Sequence, residues 1–192
     1  MKGYIYITGA GADPSLHNNF NDPIFSRVPT LGACMPNIRR FVQRGDWIFV
    51  VSGRTPSVQQ YVVGGLKVKE KIDALAAYAR FPKNRLQTNV DGRLTGNVIC
   101  AVDGAQHLLD THSQDTYERR IKNYIVGSSS IALTTRSEVE LGRQQSLDKL
   151  SSILNRPKRN RIIDIMGRMR KLDEPQIAEM LNWLEGIKAD TR

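Results

Sequence analysis

Apolar positions come in short strand-like runs up to about residue 136 and at helical spacing beyond it. Tyr4-Ile5-Tyr6-Ile7 reads as an opening strand, ended by Gly9-Ala10-Gly11-Ala12-Asp13-Pro14. From Ser15 to Thr30 the chain is a polar loop rich in Asn, Asp and Pro, and loops of this length inside a compact domain are functional or disordered. Pro36 suits the first turn of a helix running to Arg44. The Gly45-Asp46 turn then leads into Trp47-Ile48-Phe49-Val50-Val51, an apolar run that predicts a buried strand. Ser52-Gly53-Arg54-Thr55-Pro56 breaks it, and Tyr61 to Val68 returns as a second strand. Lys69 to Tyr78 has helical composition and Arg80 to Thr95 reads as a basic loop. Val98 to Val102, Ile121 to Val126 and Ile131 to Thr134 are three further strands. Short mixed strands with few helices predict a small barrel, of class α+β.

Beyond residue 136 the period changes. Ser137 and Glu140 fit a Ser-x-x-Glu capping box, and Pro157 interrupts the helical region that follows. Ile162, Ile165, Met166, Met169 and Leu172 then repeat at helical spacing. Asp173-Glu174-Pro175 starts a last helix with Ile177, Met180, Leu181, Leu184 and Ile187 on one face. The expected organisation is therefore a barrel over 1–136 and a basic helical hairpin over 137–192, one apolar stripe per arm. The hairpin offers either further phosphate contacts or a homodimer interface.

Three stretches carry a resemblance: Asp22-Pro23-Ile24-Phe25; Thr30-Leu31-Gly32-Ala33-Cys34-x-Pro36-x-Ile38-Arg39; and Gly45-Asp46-Trp47-Ile48. Together they resemble the nucleotide modification associated domain family, second type. More broadly, the Gly-Asp turn before a hydrophobic strand, with Val63-Gly64-Gly65 leading to Val68 and Ile72, looks like the PUA-like superfamily with its ASCH and EVE branches. The likeness is close over roughly the first 75 residues and looser to about residue 135. Met35 stands where a lysine is expected before Pro36. The resemblance implies a compact barrel with flanking helices that binds nucleic acid and captures a modified base, in a DNA-modification or anti-phage setting.

The net charge of +9 points the same way, since a basic surface attracts polyanions. DNA is favoured over RNA by the resemblance alone. Cys34 and Cys100 lack metal-type spacing and suit a reducing compartment. Neither a signal peptide nor a membrane span is legible, so the expected location is cytoplasmic, with no cofactor and no metal.

A reader of modified bases holds the extruded base by polar contacts to its edge and by an aromatic face. Asn18, Asn21, Phe25, Thr30, Cys34 and Ser52 are the candidate pocket residues, although turn chemistry alone accounts for Asn in loops. Cys34 precedes a helix N-terminus but has no base placed beside it, and is read as a small packing residue. Arg39, Arg40, Arg54, Lys67, Arg159 and Arg161 are candidates for backbone phosphates. Four cations, Arg156, Lys158, Arg159 and Arg161, crowd a helix start where the macrodipole disfavours them, which suits a polyanion partner. Two other readings stay open. A DNA glycosylase on the same scaffold would use Asp22, with Asp13 second, as its carboxylate. An interaction protein would instead assemble through its helical tail. His107 and His112, five residues apart around Asp110, do not form a metal pair on a helix face.

Overall fold

A computed structural model describes residues 1–16 and 20–191. Eight strands and six α-helices are assigned: β1 (Gly3–Ile7), β2 (Thr30–Leu31), α1 (Pro36–Phe41), β3 (Trp47–Val51), β4 (Val62–Ile72), α2 (Ala74–Arg80), β5 (Gln87–Thr88), β6 (Leu94–Thr95), α3 (Tyr117–Arg120), β7 (Tyr124–Ala132), α4 (Arg136–Ile153), α5 (Ile162–Met166), β8 (Met169–Leu172) and α6 (Glu174–Asp190). Six strands form a mixed sheet in the order β2-β7-β4-β3-β1-β8, and β5 and β6 form a separate hairpin. The large sheet is open, with edges at β2 and β8, and is not the closed barrel expected from the run of short strands.

The chain divides into two compact units. The first contains Met1–Phe20, Gly45–Leu66 and Ser130–Arg192, and the second contains Asn21–Arg44 and Lys67–Ser129. The region after residue 136 thus belongs with β1 and β3, and does not stand apart as an appendage.

In the first unit β1 runs parallel to β3, with Ile5 opposite Phe49. Every residue of β3 is buried, as a continuous apolar run between covered faces requires. The loops that leave the carboxyl ends of these two strands are locked together. Gly53 donates to the Ala12 carbonyl at 2.7 Å, and Gly11 to the Arg54 carbonyl at 2.9 Å. A Cβ on Gly53 would lie 1.8 Å from the Gly9 carbonyl oxygen, so only glycine fits there.

The expected helical hairpin is half right. Met169–Leu172 is strand and not helix: Gly167, at φ 72°, ends α5, and β8 then pairs antiparallel with the free edge of β1. Edge pairing overrides the helical spacing of Met169 and Leu172. The long helices α4 and α6 are tied by Trp183 Nε1, which donates to Gln145 Oε1 at 2.8 Å, and by Gln176 Nε2, which donates to the Ile153 carbonyl at 3.1 Å. Of the expected stripe, Ile177, Met180, Leu184 and Ile187 are fully buried in this unit and Leu181 is half-buried.

Other boundaries move for local reasons. The capping box of α4 uses Thr135 and Glu138, two residues earlier than expected. β4 continues to Ile72, and α2 starts only after Asp73, whose carboxylate caps the Ala76 amide. The two strands expected around residues 121–134 are one, β7, because backbone pairing carries the exposed Ser128 to Ser130 along with it. Val98 to Val102 forms no strand, only isolated bridges. Among the described residues no helix is long and apolar enough to cross a membrane.

Glu138 joins the cap to α6. Its carboxylate accepts from Lys188 Nζ at 2.7 Å and from the amides of Thr134 and Thr135 at 2.6 and 3.0 Å. Burial opposes its ionisation, but these donors outweigh burial and hold the carboxyl at about 2, against an ordinary 4.5. A carboxyl lowered in the folded state stabilises above its unfolded pKa and loses that contribution as pH falls through the folded one. The thermal stability of the wild type is therefore expected to fall as pH drops from 4.5 to about 2. Glu138→Gln should lower Tm at neutral pH and flatten the dependence across that window.

Candidate functional site

The motif that carries the family resemblance folds into a closed polar network in the second unit. Asp22, 4 % exposed, precedes a cis proline and accepts four hydrogen bonds. Oδ1 takes the Gly32 amide at 2.9 Å and Asn97 Nδ2 at 2.8 Å, and Oδ2 takes the amides of Ala33 and Cys34 at 2.8 and 2.6 Å. Burial pushes the Asp22 carboxyl up, and the amides of Cys34 and Gly32, the Arg39 charge and Asn97 work against that. Thr30 Oγ1 receives Asn97 Nδ2 at 3.0 Å and Asn84 Nδ2 at 3.1 Å. Tyr124 donates its hydroxyl to Asn97 Oδ1 at 2.7 Å, and burial raises that phenol to about 12.

Arg39 is fully buried and does not reach a phosphate, contrary to its sequence reading. Its guanidinium donates to the carbonyls of Cys34, Ala33, Arg120, Lys122 and Asn123, at 2.8–3.3 Å. The Cys34 thiol, half-buried, is pushed up to about 12, chiefly by burial and then by the Asp22 charge, so it stays protonated at neutral pH. Asp22 likewise has no oxygen left for a substrate.

The other sequence candidates scatter. Asn18 lies outside the described residues. Asn21 and Phe25 are half-buried in the second unit, as is Lys67 on β4. Arg40 is exposed, with its guanidinium 4.7 Å from the Phe41 ring centre. Ser52 is fully buried and closes the neck of the 52–61 loop, where Oγ accepts the Tyr61 amide at 3.1 Å. Asp13, the second candidate carboxylate, is 1 % exposed and paired with Arg143 at 2.7 Å. His112 Nδ1 lies 2.5 Å from Asp110 Oδ1 within a polar turn. Arg159 is exposed.

Arg54 and Arg161, by contrast, are brought together. They line one cavity of about 390 Å³ in the first unit, beyond the carboxyl end of β3. The wall is built by the turn from Arg54 to Gln60, by Arg143 and Leu147 of α4, and by Asn160, Arg161 and Ile162 before and at the start of α5. In open α/β sheets, ligands bind in crevices outside the carboxyl ends of the parallel strands. Arg143 is held in place on all sides. It donates to Asp13 Oδ2 and Ser15 Oγ, each at 2.7 Å, and to the Gln59 carbonyl, and its guanidinium sits 4.7 Å above the Tyr61 ring. Arg161 meets both oxygens of Asp164 at 2.8 Å. Gln60 Nε2 donates to the Ser52 carbonyl at 2.7 Å, which fixes its amide at the cavity edge. Sequence reasoning missed Arg143, Gln59, Gln60 and Asn160. Arg143 and Asp13 are 130 positions apart, so no local spacing signals their pairing.

The fold defines a mixed α+β protein with its polar cavity at one end of a parallel strand pair. The chain belongs to the family described as nucleotide modification associated domain 2, whose model matches residues 4–191. The match runs through the helical region, well past the stretch in which the motifs are legible. No match is found among curated proteins or among solved structures.

Two outcomes check this assignment of roles. Asp22→Asn sets an amide NH₂ against backbone N–H donors and should cost about 3 kcal/mol in urea unfolding. A disulfide reagent at pH 8 should modify Cys34 about a hundredfold or more slowly in the folded protein than in denaturant, since only the thiolate attacks.

Proposed function

We propose that the protein binds nucleic acid and captures a modified base in the cavity lined by Arg54, Arg143 and Arg161. Membership of the family ties the chain to nucleotide modification. The observation that carries the finer reading is the convergence of three arginines from separate chain segments on one cavity of about 390 Å³. That volume lies within the range of small-ligand pockets, roughly 300–1,000 Å³. Gln59, Gln60 and Asn160 supply amide donors and acceptors for a base edge, and Val58, Leu147 and Ile162 supply apolar surface for its faces. Arg54 supplies charge for a flanking phosphate.

The glycosylase reading fares worse. It needs a carboxylate near the sugar, and Asp22 accepts four hydrogen bonds inside a closed network. Among the described residues no Asp or Glu lines the cavity. Assembly through the tail also loses support, because all of the α6 stripe except the half-buried Leu181 is buried in its own unit.

Binding to a duplex carrying hypermodified cytosine, titrated with salt beside plain DNA and matched RNA, tests the reading. Tighter binding to modified DNA is expected. Arg54→Ala should weaken it about tenfold and make the salt slope shallower by about 1. Equal affinity for plain and modified duplexes sinks the proposal.

A further inference from the structure

We infer that the turn Thr55–Val58 at the cavity, with the Arg54 side chain beside it, is a phosphate subsite, and that the Ser57 hydroxyl donates to the bound phosphate. This rests on the reading of the cavity as a nucleotide site and names the group that enters it first.

The Thr55–Val58 bridge closes a four-residue turn with Pro56 at its first corner and Ser57 at its second. Proline suits the first corner of such a turn, whereas a positive φ at the second favours glycine. Ser57 has φ 65° and carries its side chain there nonetheless. The side chain is exposed and lines the cavity. Strain of this kind persists where the surrounding structure imposes it, and it gathers at ligand-binding positions. The base of the turn is rigid, since the Arg54 carbonyl accepts from Gly11 and Gly53 is wedged against Gly9.

A further fact points to an anion, and it is how charge is compensated. Asp13 neutralises Arg143 and Asp164 neutralises Arg161, whereas the exposed Arg54 has no ion pair among the described residues. One guanidinium and the exposed Ser57 hydroxyl, three residues apart, suit two oxygens of a phosphate. Glycine at position 57 would relieve the backbone and remove one of those donors.

The experiment is a fluorescence-anisotropy titration of a labelled modified duplex. Inorganic phosphate, a nucleoside monophosphate and an unlabelled abasic duplex serve as competitors, with Tm measured in parallel. Ser57→Gly should fold with Tm equal to or above wild type, and its affinity should fall about tenfold, the effect of losing one hydrogen bond to a charged group. Ser57→Ala keeps the β-carbon and removes only the hydroxyl, so it should show the same loss even if the glycine variant folds poorly. Competition by the monophosphate assigns the subsite to a terminal phosphate, and competition by the abasic duplex alone assigns it to the DNA backbone. If both Ser57 variants keep wild-type affinity while Arg54→Ala loses it, the subsite falls and the cavity stands. If Leu147→Trp, which fills the cavity, and Arg54→Ala both leave binding unchanged, the cavity reading itself falls.

Discussion

Buried backbone groups outside regular secondary structure must find partners, and the second unit meets this need with two ionisable side chains. The segment from Gly32 to Cys34 has no ladder on its donor side, and Asp22 accepts all three of its amides. The carbonyls of Ala33 and Cys34, with those of Arg120, Lys122 and Asn123, are taken by Arg39. A carboxylate and a guanidinium thus do for an irregular segment what a helix does for itself. Removing either leaves several orphaned groups at once, the costly direction of the hydrogen-bond asymmetry. The core of Ala77, Val98, Ile99, Tyr124 and Val126 is assembled in the same unit as this pair.

The motif that identifies the family is therefore mainly architectural, and the candidate ligand chemistry lies elsewhere in the chain. Asp22, Thr30, Cys34 and Arg39 are gathered as the motif suggests, but around each other, with Asp22, Thr30 and Arg39 closed to solvent and Cys34 half-buried. The cavity draws instead on loop residues beside the parallel strands and on α4. Short-range turn chemistry builds its rim, whereas ties between distant segments build its wall.

What was legible in the sequence follows from the range of the interactions involved. β1, β3 and the start of β4 are clear, because their apolar runs are bounded by glycine, proline and serine. The final helix is clear from Asp173-Glu174-Pro175 and the stripe that follows. β8 was not, since Met169–Leu172 satisfies a helical period as well as a strand, and the unpaired edge of β1 decides between them. The open sheet was not legible either, because closure depends on which strands pair. At the site, Arg54 stood out as a cation in a strand break and Arg161 as one of a cluster at a helix start. Arg143 did not, because its role follows from Asp13, Ser15 and Tyr61, which only the fold brings near.

Exposed Arg156 and Arg159 and the compensated Arg143 and Arg161 of the cavity carry charge in different ways. Paired arginines contribute little field at a distance, while exposed Arg156 and Arg159 add to the +9 seen by an approaching polyanion. For such a ligand the two sets govern separate rate constants. The exposed cations set how fast encounter occurs and how strongly salt slows it. The paired Arg143 and Arg161, which act only on contact, would set how long the complex lasts.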